Sequence, residues 1–206
     1  MKTADFDYTL PPELIAQRPL PQRDASRLMV LNRAEQSINH KTFTEILDYF
    51  EPGDVWVANN SRVIPARLYG SKPTGGQVEL LLLAEKENGR WQAMVGGKRL
   101  SEGSEIHLLD QAGEETELVA TVTAVLEGPQ RELSFNQPLE EWLETIGHTP
   151  LPPYIHQHLD EPERYQTVYS RPAGSAAAPT AGLHFTGDLL LALREKGVIF
   201  GTVTLH

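Results

Sequence analysis

The chain has 206 residues, 40% of them hydrophobic, enough to bury one large core or two modest ones. With 28 Asp+Glu against 18 Lys+Arg its formal net charge is -10, which argues against indiscriminate nucleic-acid binding, and the absence of cysteine excludes disulfides, thiolate catalysis and cysteine-based zinc sites. The opening MKTADFDYTLPPELIAQ carries acids where a secretory signal needs an apolar core, and no run approaches the length of a membrane span, so a soluble, cytoplasmic protein without membrane contact is expected.

In chain order, residues 12 to 17 predict a short helix after Pro11 and Pro12, and Arg27 to Asn32 reads as a strand. Residues 42 to 50 predict a helix whose apolar face is Phe43, Ile46, Leu47 and Phe50, stopped by Pro52-Gly53, and Asp54 to Asn59 is the next strand. Strand, helix, strand suggests an α/β layer. The pattern then changes to short strands at Val78 to Ala84, Trp91 to Val95, Glu105 to Leu109, Glu117 to Leu126 and Arg131 to Phe135, joined by Gly-rich turns with no helix between them. Five such strands imply an all-β, barrel-like domain over 68–138. A helix follows at 139 to 147, with Leu139, Trp142, Leu143 and Ile146 on one face, and Leu151-Pro152-Pro153-Tyr154 breaks it. A helix at Asp188 to Lys196, ended by Gly197, and a strand from Val198 to His206 resume the first pattern. The expected fold is therefore an α/β domain discontinuous in sequence, 1–67 and 139–206, with the barrel inserted. A chain that ends on an apolar strand reads as incomplete.

Several segments carry candidate chemistry. Arg18, Arg23, Arg27, Arg33 and Lys41 crowd the first segment, and Arg62, Arg67 and Lys72 form a second basic set, while acids concentrate in 102–117 and 140–163. These are either solvated faces or one face for one structured RNA. Asn59, Asn60, Arg62 and Arg67 follow a strand, where α/β folds expose ligand-binding residues; the amides can read a base or ribose, and the arginines a carboxylate or phosphate. An Asn-rich turn with two surface arginines is the plainer alternative. Gly75-Gly76 and Gly96-Gly97-Lys98-Arg99 lack phosphate-loop partners and read as turns. His148, His156, His158 and Asp160 match no zinc spacing, so no metal is expected. Glu161, Glu163, Arg164, Tyr165, Gln166 and Tyr169 combine acid, cation and stacking surface, unless the tyrosines simply pack inward. The run GSAAAPTAGLHFT, from Gly174 through Ser175, Thr180, Gly182, His184 and Phe185 to Thr186, has the small residues of a ligand-contacting loop and one imidazole between two apolar side chains.

These blocks carry a resemblance. Leu14-Ile15-Ala16-Gln17 with Pro19, Arg23 to Leu28 (RDASRL), Asn59 to Leu68 (NNSRVIPARL), Val78 to Leu83, Leu151 to Ile155 (LPPYI), Glu163 to Tyr169 (ERYQTVY), Gly174 to Thr186 and Val203 to His206 occur in one order over essentially the whole chain. In that order the chain resembles the S-adenosylmethionine:tRNA ribosyltransferase-isomerase family of queuosine biosynthesis. Asn60-Ser61 is a mild departure, where the family commonly has an acidic residue and threonine. The family is longer, so the resemblance also implies a missing C-terminal part and little turnover from this chain alone.

The resemblance implies transfer and isomerisation of the ribosyl moiety of S-adenosylmethionine onto 7-aminomethyl-7-deazaguanine at the tRNA wobble position, giving epoxyqueuosine-tRNA, adenine and methionine. It implies an α/β domain with an inserted barrel, tRNA and S-adenosylmethionine as partners, no cofactor, and a monomer. His184 is the leading candidate for proton transfer, against a structural histidine packed by Leu183 and Phe185, and Glu163 is the alternative base. Arg62, Arg67 and Arg164 are candidates for holding anionic groups, and Tyr165 or Phe185 for stacking on a base. Gly174, Ser175, Thr180 and Gly182 complete the expected substrate loop, with Asn59 and Asn60 beside it. The competing classes are a non-catalytic RNA-binding module and an S-adenosylmethionine-dependent RNA methyltransferase.

Overall fold

The computed structural model describes residues 1–157 and 159–205, the side chain of Glu87 excepted. Among these residues it consists of a closed barrel, three two-stranded sheets and little helix.

The N-terminal segment holds only 3-10 turns, at Thr3–Phe6, Pro12–Leu14 and Arg23–Ala25. The helix expected over 12 to 17 stops after one turn, with Ile15 already extended. Strand β1 (Arg27–Asn32) pairs antiparallel with β2 (Ser37–Thr42), a strand the alternation did not announce because Asn39, His40 and Lys41 interrupt it. Asn32 caps the connecting turn, its Oδ1 accepting from the N–H of Ala34 (3.1 Å) and Glu35 (3.2 Å). So short a connection favours local pairing. Strand β1 therefore belongs to its own hairpin, which corrects the reading of it as the first strand of a layer with 54–59. The segment after it is a 3-10 helix, Phe43–Tyr49, opened by Glu45 reaching back to the Thr42 N–H at 2.7 Å.

The barrel has six strands, β5 (Arg67–Ser71), β6 (Gln77–Glu85), β7 (Trp91–Gly96), β8 (Glu105–Leu109), β9 (Glu115–Val125) and β10 (Gln130–Phe135), closed in the order β10-β7-β6-β5-β8-β9. Its inward residues alternate along each strand, as Val78, Leu80 and Leu82 do on β6, and pack with Leu68, Ile106, Leu108, Leu118, Val122 and Leu133. Burying one such side chain contributes roughly 1.5–3 kcal/mol. The strand that escaped the sequence reading is β5, because Gly70 lies in its middle. That glycine is required by packing: a Cβ there would lie 2.7 Å from the His107 carbonyl oxygen and from Ile106 Cγ2.

The segments flanking the barrel in sequence meet beside it. Strand β3 (Val55–Asn59) pairs in parallel with β12 (Ile199–Val203), and β4 (Arg62–Val63) with β11 (Ala173–Ser175). A second core gathers Phe43, Trp56, Phe185, Leu189, Leu193 and Val198. Its aromatic centre is tightly made, with Phe185 stacked on Trp56 (centroids 4.2 Å apart) and edge-on to Phe43 (5.0 Å). Helix α2 (Gly187–Glu195), capped by Thr186 and followed by Gly197, supplies its leucines. The helix expected over 139–147 is a 3-10 turn, Leu139–Glu141, followed by α1 (Leu143–Ile146). No helix among the described residues is long and apolar enough to cross a membrane.

Candidate functional site

Chain entry to and exit from the barrel are adjacent. Arg67 and His148 exchange backbone hydrogen bonds (3.1 and 2.8 Å), which brings the segment after α1 against the start of β5. From there Leu151 to Gln157, with Leu159 and Asp160, forms a wall with a cleft on each side.

The first cleft, about 620 Å3, lies between this wall and the N-terminal strap Ala16 to Pro21. Leu20, Leu151, Ile155, Leu159 and Leu183 make it largely apolar, and Arg18, Arg164, Tyr165 and Thr180 add polar groups. The strap is held by a side chain acting as a peptide group: Gln17 donates to the Tyr154 carbonyl (2.9 Å) and accepts from the His156 N–H (2.8 Å). Arg18 donates to Gln157 Oε1 at 2.6 Å. Arg164 donates to the Leu20 and Pro21 carbonyls, so part of its donor capacity faces the protein. Tyr165 is buried, which pushes its hydroxyl pKa up against the opposing effect of a hydrogen bond with the Ala178 backbone.

The second cleft, about 670 Å3, is more polar and lies on the barrel side. Arg62 on β4 pairs bidentately with the carboxylate of Glu163, in the 3-10 helix Pro162–Tyr165, and reaches Ser170 Oγ at 3.4 Å. The register of that pairing is set by Gln166, buried beside it, whose amide brackets Val63 by accepting its N–H (2.9 Å) and donating to its carbonyl (2.8 Å). Arg67 pairs with Glu79 (2.9 Å) and donates to the Leu151 carbonyl (3.2 Å). His148, edge-on to Tyr69, and His156 also line this cleft. No group of three or more His, Cys, Asp or Glu among the described residues is arranged to hold a metal, and His158 lies outside them.

The candidate residues are distributed over both clefts. Arg62, Arg67 and Glu163 face the second, and Arg164, Tyr165 and Thr180 the first. Asn59 and Asn60 instead fasten the end of β12: Asn59 Oδ1 accepts from Ser61 Oγ (2.7 Å) and the Leu205 N–H (3.4 Å), and Asn60 Oδ1 accepts from Thr204 Oγ1 (2.8 Å). His206 lies outside the described residues. Gly174 and Ser175 form β11, where the Ser175 hydroxyl is buried and donates to the Ala177 carbonyl (2.8 Å). Gly182 is buried against Tyr169, while half-buried His184 lies 5.1 Å from Phe43, centroid to centroid, and Phe185 is in the aromatic centre. Sequence reasoning passed over Gln17, Gln166 and Arg23 as organisers. They lie inside the quoted blocks, but their partners are far along the chain and leave no local spacing signal.

Comparison with known proteins agrees with the family resemblance. A family model described as Queuosine biosynthesis protein matches residues 3–206. Proteins named S-adenosylmethionine:tRNA ribosyltransferase-isomerase are similar over 100% of the chain: one from Symbiobacterium thermophilum at 50% identity, one from Clostridioides difficile at 50% and one from Thermotoga maritima at 49%. The chain spans 60% of the length of each of these relatives. Among solved structures, the crystal structure of S-adenosylmethionine tRNA ribosyltransferase from Thermotoga maritima matches 98% of this chain and 58% of that one, at 37% identity and a TM-score of 0.40. A match over residues 3–206, nearly the whole chain, places it in the queuosine biosynthesis protein family.

Proposed function

We propose that the chain supplies the paired clefts of an S-adenosylmethionine:tRNA ribosyltransferase-isomerase, which moves the ribosyl moiety of S-adenosylmethionine onto 7-aminomethyl-7-deazaguanine at the tRNA wobble position. The observation that carries this reading is the 50% identity, over the whole chain, to relatives bearing that name. Two adjoining clefts suit a reaction that brings two large substrates together. The reading includes a division of the chain into 1–67 and 139–206 around the inserted barrel 68–138, supported by the pairing of β3 with β12 and of β4 with β11. It also includes a cytoplasmic monomer that uses S-adenosylmethionine as substrate and no cofactor.

The sulfonium of S-adenosylmethionine acidifies its C5′ hydrogens, so a base removes one to give an ylid-like carbon. The ylid expels the ring oxygen from C4′, and that oxygen collapses to a C1′ aldehyde as adenine leaves with a proton. The aminomethyl nitrogen then adds to C4′ of the resulting vinyl sulfonium and loses its proton, and the regenerated C5′ ylid closes on C1′, whose oxygen displaces methionine from C5′ to form the epoxide. His184 and Glu163 are the candidates for proton transfer at these steps. Arg62, held against Glu163, and Arg67 and Arg164 are the cations available to anionic groups. Tyr165 and Thr180 offer the first cleft a stacking face and a hydroxyl. Asn59, Asn60, Gly174, Ser175, Gly182 and Phe185 shape the surroundings.

The test is product analysis. The chain, and a family-length polypeptide containing it, are incubated with precursor-bearing tRNA and S-adenosylmethionine. Free adenine and methionine are expected from the family-length polypeptide and little from the chain alone; from the longer form, S-adenosylhomocysteine would indicate methyl transfer, and no small product would leave an RNA-binding module.

A further inference from the structure

Arg23 and Asp24 occupy the 3-10 turn that leads into β1 and have no role in the reading above. The Arg23 guanidinium donates to the carbonyl of Glu163 (2.8 Å) and to that of Leu183 (3.0 Å), with a longer bond to the carbonyl of Arg164 (3.4 Å). The Asp24 carboxylate, 7% exposed, accepts from the Thr186 hydroxyl at 3.0 Å. That hydroxyl in turn accepts the Leu189 N–H at 3.2 Å and caps α2. One dipeptide therefore grips the backbone just before His184 and a side chain two residues after it. Its arginine also grips the backbone that carries Glu163.

We propose that Arg23-Asp24 is a positioning clamp that fixes Glu163 and His184 relative to each other, an inference that rests on reading those two as the proton-transfer candidates. These residues are far from each other in sequence and lie on separate 3-10 turns, Pro162–Tyr165 and Thr180–His184, too short to hold a mutual geometry unaided. A planar guanidinium reaches two carbonyls at once in a fixed fork, which an ammonium does not. The placement has a cost: burial, then the neighbouring Arg164, lowers the Arg23 pKa from its ordinary value, with Glu163 opposing. The carbonyl bonds offset that cost only in this arrangement.

The test compares Arg23→Gln, Arg23→Lys and Asp24→Ala with the unaltered 206-residue chain. The His184 imidazole protons, assigned with His184→Gln, report the position of the ring against Phe43. In Arg23→Gln, at a temperature where unfolding shows the chain still native, the ring is expected to lose its Phe43 ring-current shift and its Overhauser contacts to Phe43. Arg23→Lys keeps the charge and is expected to show the same loss, and it carries this readout should Arg23→Gln unfold. Asp24→Ala is expected to release the Thr186 side of the turn with a partial loss. An unchanged His184 signature in the folded Arg23 variants overturns the clamp. In turnover, measured in the family-length polypeptide, Arg23→Gln is expected to lower kcat about 100-fold, with KM for S-adenosylmethionine held within about threefold. A rise in KM at retained kcat also overturns it. Failure of the unaltered family-length polypeptide to release adenine refutes the reaction assignment instead, and the imidazole signature then decides the clamp.

Discussion

Gly182 sits inside the loop that sequence reading marked as ligand-contacting, yet it has a packing reason for its identity. A Cβ there would lie 2.2 Å from Tyr169 Oη and 2.9 Å from Thr167 Cγ2. Gly182→Ala is expected to destabilise by about 2 kcal/mol in urea unfolding, in the range of core overpacking. Gly187→Ala makes the internal control, since nothing lies within 4 Å of its added Cβ in the first turn of α2, and it is expected to be neutral or slightly stabilising. Tyr165 and Tyr169 give a second residue-scale expectation, because burial raises both hydroxyl pKa values above the ordinary 10.0. The native state keeps protons that the unfolded chain releases, so the tyrosines' contribution is intact below pH 10 and is lost as pH rises through the native values. Unfolding midpoints should fall above that pH in the native sequence and fall less in Tyr165→Phe/Tyr169→Phe. Equal alkaline slopes would contradict this.

At the scale of elements, the β3–β12 pair presents two unlike faces. Trp56 and Phe200 turn inward onto the aromatic centre, while Val55 (64% exposed), Val57 (56%), Ile199 (57%) and Val203 (44%) line the open side. Parallel strands are ordinarily covered on both faces. The 206-residue chain is accordingly expected to bind an apolar dye such as anilinonaphthalene sulfonate. Val57→Lys/Ile199→Lys should abolish most of that fluorescence at a stability cost within about 0.5 kcal/mol, as for exposed sites. Persistent dye binding would assign the patch elsewhere, for instance to Met29, Leu31 and Ile38 on the hairpin. The same strands show what the sequence could announce. Hydrophobic runs revealed β3 and five barrel strands, since their in-out alternation is local. Strand β5 was hidden by Gly70, whose meaning depends on His107 across the sheet, and β2 by polar residues that only its hairpin partner orders.

Two cores, one in the barrel and one around Phe185, define the whole molecule. Trp91 lies in the first, with Trp142 packed against it, and Trp56 packs in the second. Single-tryptophan variants are expected to report separate unfolding transitions, with Trp56 responding at lower denaturant because its core is smaller and partly uncovered. Coincident transitions would show one cooperative unit. The barrel was legible as a unit from its run of short strands joined by turns, and the family from motif order. The division of the candidate residues between two clefts was not, because it depends on the wall made by 151–157, 159 and 160 and on long-range ties such as Gln17 to Tyr154 and Gln166 to Val63.

The backbone exchange between Arg67 and His148 gives the barrel a single doorway, and a doorway changes the order of assembly. Once the barrel has closed, the segments on either side of it emerge from neighbouring points. The stretch that must still be gathered for β3 to find β12 then omits the barrel's whole contour length. Loop-closure entropy grows with the logarithm of loop length, about 0.6 kcal/mol for each doubling. Folding the barrel first therefore makes the later parallel pairing cheaper, and refolding followed at Trp91 should run ahead of refolding followed at Trp56.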